Sequence, residues 1–211
     1  MNFLAENLEA YVQQHSEQEP DLLQDLARET HLKVLQPRML SGAYQGRLLS
    51  LISKLITPKH ILEIGTFTGY SALCMAEGLH ENGRIDTIDV DEELTDLQRR
   101  YFDASSYGKQ IFQHLGNAAD IIPTLNGSFD LVFIDADKEQ YPLYFDLIID
   151  RIQVGGLIIA DNVLWSGKVV TNATDEATQT LQQFNKKVVE DTRVETVLLP
   201  VRDGLTLIRK T

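Results

Sequence analysis

The spacing of apolar positions divides the chain into two parts that change character at Pro58. In the first part the spacing is helical. Residues 2–16 place Phe3, Leu4, Leu8, Tyr11 and Val12 on one face. A second helix over 20–35 opens at Pro20, which suits a first helical position, and carries Leu22, Leu23, Leu26 and Leu32. A third, beyond Pro37, spans 41–56 with Leu48, Leu49, Ile52, Leu55 and Ile56.

From residue 58 short apolar runs alternate with helical stretches. Strands are expected at 60–65, 84–90, 110–116, 129–135 and 157–162, and helices near 70–80, 92–106, 118–124 and 140–152, with Gly155-Gly156 turning the chain before the fifth strand. Such alternation predicts parallel strands joined by right-handed crossovers. The ending breaks the pattern. A helix over 175–190 carries Ala177, Leu181, Phe184 and Val188, and then VETVLLP (194–200) and GLTLIRK (204–210) flank Val201-Arg202-Asp203 as a hairpin. The expected architecture is one domain over 1–211, with helices in 1–57 ahead of an α/β core in 58–211 closed by an antiparallel hairpin.

Composition narrows the classes. The chain has 211 residues, 43% of them hydrophobic, which is ample for a core. No apolar stretch approaches the ~20 residues of a membrane span. The start, MNFLAENLEAYVQQ, lacks a basic leader before an apolar block. The single cysteine, Cys74, lies in the apolar run 72–76 and reads as an inert buried thiol, so a cytoplasmic protein is expected. The net charge of −12, with no basic stripe, disfavours nucleic acid and anionic membranes as partners.

Two clusters carry candidate chemistry. The first is the loop after strand one, Glu63-Ile64-Gly65-Thr66-Phe67-Thr68-Gly69-Tyr70-Ser71. A dinucleotide fingerprint needs a glycine where Phe67 stands, to admit the pyrophosphate. Glu63 suits an ammonium better than a phosphate, and Asp89 at the end of strand two can accept from the hydroxyls of a ribose. A nucleoside with a cationic amino-acid tail meets all three conditions, and S-adenosylmethionine has that description. The bland alternative is a turn glycine and a helix-capping aspartate.

The second cluster lies at the ends of strands four and five. If these strands are neighbours, about 4.8 Å apart, Asp135 stands beside Asp161-Asn162 at the edge where open α/β sheets bind ligands. Uncompensated carboxylates there would repel. Their hard oxygens suit Mg²⁺ first, and also Mn²⁺ or Ca²⁺. Capping of a following helix is the alternative for Asp135 and fits Asp161 less well, because 163–168 does not open a convincing helix. Asp137 reads as a cap or solvated residue.

The stretches ILEIGTFTGYSAL (61–73), TIDVDEE (87–93), FIDADKEQY (133–141), IIADNVLWSGKV (158–169) and LLPVRDGLTLIRK (198–210) make the chain resemble the metal-dependent O-methyltransferases of the caffeoyl-CoA and catechol type, over nearly its whole length. The resemblance implies a Rossmann-like methyltransferase fold, a seven-stranded sheet ordered 3-2-1-4-5-7-6 with the last strand antiparallel. It implies Asp135, Asp161 and Asn162 as metal ligands and Lys138 as general base, with Asp135 also beside the cofactor. Glu63 would face the methionine part and Asp89 the ribose. Ser41, Gly65, Thr66, Phe67 and Ser71 would line the cofactor and Ala118 the adenine, while Met39 and Trp165 would border the acceptor. A homodimer is implied as well. The catechol branch has a glutamate near the start of the final hairpin turn, where this chain reads Leu199-Pro200-Val201, so the caffeoyl-CoA branch is the closer match.

The expected reaction is methyl transfer to the hydroxyl of a small catechol-like, caffeoyl or flavonoid acceptor. A cation would lower the hydroxyl's pKa and depress that of Lys138, which would take the second proton. The alternatives are methylation of a hydroxylated uridine in transfer RNA, and a dinucleotide-binding oxidoreductase or binding module.

Overall fold

A computed structural model describes residues 5–211; Phe3 and Leu4 lie outside them. Helices α1 (Glu6–Gln14), α2 (Asp21–Lys33) and α3 (Gly42–Ile56) come first. Then β1 (His60–Ile64), α4 (Tyr70–Ala76), β2 (Arg84–Asp89), α5 (Thr95–Ala104), β3 (Ile111–Leu115), α6 (Ala118–Ile121), β4 (Phe129–Ile134), α7 (Tyr141–Ile148) and β5 (Ile152–Asp161) alternate. Helix α8 (Glu176–Glu190) precedes β6 (Val194–Leu199) and β7 (Leu205–Lys210). The strands form one seven-stranded sheet in the order β3-β2-β1-β4-β5-β7-β6, in which β7 runs antiparallel to both neighbours. The sequence expectation of the sheet order is met.

The central strands read as continuous apolar runs because both faces of the sheet are covered. Leu62, Ile64, Val132, Ile134 and Ile158 point to one side, where α7 and α8 contribute Phe145, Ile148, Leu181 and Phe184. Ile61, Leu131, Phe133 and Ile159 point to the other, against Leu23 and Leu26 of α2, Leu49 of α3, the whole of α4, and Phe102 of α5.

Three details differ from expectation. Gly155 and Gly156 lie within β5, where the register against β4 jumps between Phe129↔Ile152 and Leu131↔Leu157; the glycines form an irregularity in a longer strand and do not precede it. Leu8 and Tyr11 of α1 are exposed, as is Leu32 of α2. In α3 the buried stripe is Gln45, Gly46, Leu49, Ser50 and Ser53, while Leu55 is exposed. The physical reason is close packing on α4: a Cβ at Gly46 would come within 2.7 Å of the Tyr70 ring and 2.8 Å of the Cys74 sulfur. Cys74 is buried as expected, and burial pushes its thiol up to about 12.

Candidate active site

A cavity of about 980 Å³ opens at the carboxyl ends of β1, β2 and β4. This is the upper end of the ~300–1,000 Å³ usual for ligand pockets. Of the residues expected at a cofactor, Ser41, Gly65, Thr66, Phe67, Ser71, Asp89, Ala118 and Asp135 line it, and so does Met39. The segment 33–41, joining α2 to α3, forms part of its wall, and Asn117, Gln140 and Tyr144 contribute on the side of Ala118. Asp137 is exposed and its carboxylate caps the Glu139 N–H, as the sequence suggested, and it also lines the cavity.

The glycine loop is built by close backbone approach. Gly65 has φ +98°, and a Cβ there would lie 1.9 Å from the Asp135 carbonyl oxygen. Only glycine lets β1 leave the sheet directly over the end of β4. Asp89 shapes the same loop from β2: its Oδ2 accepts from the N–H groups of Thr66 (2.9 Å) and Phe67 (2.6 Å), its Oδ1 from those of Val90 (2.7 Å) and Asp91 (3.0 Å). The residue expected at a ribose therefore has a structural task as well, since four N–H bonds hold its carboxylate rigid at the rim of the cavity.

Glu63 is fully buried and does not itself line the cavity. Its Oε2 accepts from the Thr87 hydroxyl at 2.5 Å, and the nearby Ser71 hydroxyl also favours the ionised carboxylate. Oε1 has no hydrogen-bond partner among the described residues. Burial, opposed by the two hydroxyls and helped by the charges of Asp89 and Asp135, pushes the carboxyl up to about 8. A buried carboxylate oxygen without a donor, behind a ligand cavity, is the feature a cationic ligand group would satisfy.

At the far end the register Ile134↔Ala160 sets Asp135 beside Asp161 on adjacent parallel strands. Asp161 is buried; its Oδ1 accepts from the Asn162 N–H (2.6 Å) and its Oδ2 from Gln45 Nε2 (2.6 Å). It caps no helix. Burial first, and then the charge of Asp135, raises its pKa well above the usual carboxylate range. Asn162 takes a left-handed backbone, φ +58°, one of the few residue types that does so readily. Among the described residues no group of three or more His, Cys, Asp or Glu side chains is arranged to hold a metal. The set here is two carboxylates and an amide, oxygen donors that fit a hard dication.

Lys138 is almost wholly buried, in the turn between β4 and α7. Nζ donates to Asp135 Oδ1 (2.8 Å) and to Tyr141 Oη (2.7 Å). Burial opposes the ammonium, but Tyr141 and Asp135 outweigh it and hold the pKa above the ordinary lysine value. The depression expected beside a cation is a different circumstance: here the carboxylate that would hold the cation pairs with the ammonium. Tyr141, fully buried, donates onward to the Asp161 carbonyl (2.9 Å) and lies 3.2 Å from that of Ile134. It thus ties Lys138 to the ends of both strands. Its spacing with Phe145 and Ile148 marks it as a core position, and nothing in that spacing reveals the work of its hydroxyl.

Trp165 does not line the cavity; it is half-buried against the core cluster of α7 and α8. Its loop is docked on the β6–β7 turn, where the Val163 and Leu164 N–H groups donate to the carbonyls of Gly204 (3.2 Å) and Asp203 (2.9 Å). From the same turn the Arg202 guanidinium donates to the carbonyls of Leu40 (2.9 Å) and Ser41. One hairpin turn therefore anchors the Trp165 loop and the 40–41 stretch of the cavity wall. Arg202 and Gln45 were not singled out from the sequence, although Gln45, four residues before Leu49, is a polar residue in a buried stripe.

The sequence and fold are similar to those of known proteins. The family model described as O-methyltransferase matches residues 13–211. Caffeoyl-CoA O-methyltransferase of Petroselinum crispum is 34% identical over 205 residues, covering 91% of this chain and 85% of the relative. Caffeoyl-CoA O-methyltransferase 1 of Eucalyptus globulus is 35% identical over 204 residues, covering 91% and 82%. Among solved structures, the SAH-bound methyltransferase PaMTH1 of Podospora anserina superposes with a TM-score of 0.89 at 30% identity, over 97% of this chain and 94% of that one. The O-methyltransferase TomG of Streptomyces achromogenes, in complex with SAM, gives 0.90 at 29%, over 97% and 96%. The chain belongs to the O-methyltransferase family. That membership sets aside the dinucleotide oxidoreductase alternative.

Proposed function

We propose that the protein transfers a methyl group from S-adenosylmethionine to a hydroxyl of a small aromatic acceptor, with a divalent cation at Asp135, Asp161 and Asn162. The carrying observation is that Asp135 belongs to both halves of the site: it lines the cavity and stands beside Asp161 at the end of the neighbouring strand. The SAH-bound and SAM-bound relatives support the cofactor, and the caffeoyl-CoA O-methyltransferases support the acceptor class. Glu63, behind the cavity wall, would receive the cofactor's ammonium, while within the cavity Asp89 would hold the ribose and Ala118 with Asn117 the adenine. Met39 and Trp165 would border the acceptor, with Trp165 acting through the loop that Arg202 and Asp203 hold. The chain would act as one cytoplasmic domain, paired as a homodimer.

A phenol with a pKa near 10 is scarcely ionised at neutral pH. The bound dication would lower that pKa and orient two vicinal hydroxyls. Asp135, Asp161 and Asn162 would supply its oxygen ligands, with Gln45 on the Asp161 carboxylate and Tyr141 on the Asp161 carbonyl holding the strand end in place. Lys138 keeps its proton at Nζ while paired with Asp135. With Asp135 engaged elsewhere the ammonium loses that partner, and Lys138 becomes the base for the second proton. The test is a labelled-methyl transfer screen over catechols, caffeoyl esters, flavonoids and transfer RNA, with Mg²⁺ or with EDTA. Transfer to a catechol-type acceptor that EDTA abolishes is expected, and Asp161→Ala should mimic EDTA while SAH still binds. Full activity in EDTA refutes the cation's role, and transfer RNA as sole acceptor refutes the acceptor class.

A further inference from the structure

Helix α3 lies outside the alternating α/β core, yet one of its residues reaches the far end of β5. Gln45 is 1% exposed, and its Nε2 donates to Asp161 Oδ2 at 2.6 Å across 116 residues of sequence. The opposite carboxylate oxygen, Oδ1, is held by the Asn162 N–H at 2.6 Å. Asp161 is therefore clamped from both sides, by its own chain and by α3, with one lone-pair direction on each oxygen left over. The other amide atom of Gln45, Oε1, is buried with no donor among the described residues.

A glutamine in this environment is not a packing choice. A buried amide with one unmet acceptor is destabilising relative to a satisfied one, and leucine or methionine would fill similar space without stranding an acceptor of its own. We infer that Gln45 is a positioning residue for the candidate cation site, orienting Asp161 through its amide nitrogen so that the carboxylate meets the ion in one fixed geometry. The inference rests on the cation reading proposed above and deepens it. It also gives α3 a reason to be fastened to the sheet: the helix that carries Gln45 begins where the 33–41 wall of the cavity ends. Partners that aim a metal ligand change metal affinity by roughly 10–100-fold when removed.

The experiment measures Mn²⁺ binding to the full chain by electron paramagnetic resonance, and SAH binding by calorimetry, in wild type, Gln45→Leu and Gln45→Met. Expected is a Mn²⁺ dissociation constant raised at least tenfold in both variants, with the SAH constant within twofold of wild type. Excess Mn²⁺ should restore kcat, so the loss falls on metal saturation, which a general packing defect would not produce. Unchanged Mn²⁺ affinity overturns the inference. Parallel loss of SAH affinity, or failure of both variants to fold, assigns Gln45 to packing and overturns it too. Wild type that binds no Mn²⁺ removes the cation reading itself, and the inference with it.

Discussion

With the cofactor's ammonium placed on Glu63, as proposed, cofactor binding would be a proton-coupled event. In the ligand-free protein its carboxyl is pushed up to about 8, against an ordinary 4.5, by burial behind the loop that Gly65 and Thr66 form. At ~1.36 kcal/mol per pH unit the gap is on the order of 5 kcal/mol, an upper bound on what an ammonium placed against Oε1 can recover. A raised carboxyl favours the neutral form, so the ligand-free fold loses stability as pH climbs from about 4.5 towards 8. Cofactor binding has the opposite sign, because the cation needs the carboxylate. Between pH 6 and 7 the ionised fraction of Glu63 rises about tenfold, and affinity should rise with it. Near pH 8 the gain levels off as the cofactor's own α-amino group begins to lose its proton, at about 7.7–8.0. Calorimetry with SAH at pH 6.5, in two buffers of different protonation enthalpy, should show close to one proton released per cofactor. Glu63→Gln should abolish both the release and the pH dependence. Heats that do not depend on the buffer, or equal affinity at pH 6 and 7, would refute the placement of the ammonium on Glu63.

Gly65→Ala should destabilise the protein by roughly 2–4 kcal/mol in urea denaturation, because a Cβ would meet the Asp135 carbonyl in a left-handed backbone; a loss under 0.5 kcal/mol contradicts the close approach. Tyr141→Phe should lower stability by about 1–3 kcal/mol, since the Asp161 carbonyl and the Lys138 ammonium each lose a buried partner. An unchanged urea midpoint would show those bonds to be replaceable. Lys138→Ala should cut kcat at neutral pH at least a hundredfold, with SAH affinity within threefold of wild type, and undiminished turnover would remove Lys138 from the reaction.

Much of this molecule is determined locally. The alternation of apolar runs and helical spacing follows from side-chain period, and an unbroken run such as Leu131 to Ile134 announces a strand covered on both faces. The strand-end acids were legible because parallel topology brings the carboxyl ends of neighbouring strands to one edge, whatever joins them. Gly65 was legible as a lining residue of the loop, but its close approach to the Asp135 carbonyl was not.

Other features arise only when distant segments meet. Gln45 meets Asp161 through tertiary packing, and no spacing rule connects α3 to β5. Arg202 reaches the carbonyls of Leu40 and Ser41 because a hairpin turn lies against the α2–α3 connection. The same holds for proton affinity. Composition says that Lys138 is a lysine near two aspartates, but which way its pKa moves depends on burial and on whether Asp135 pairs with it. The residue types and their order along each strand were in the sequence. Charge state and ligand geometry depend on distances of a few ångströms between elements far apart in the chain, and only the folded packing sets those distances.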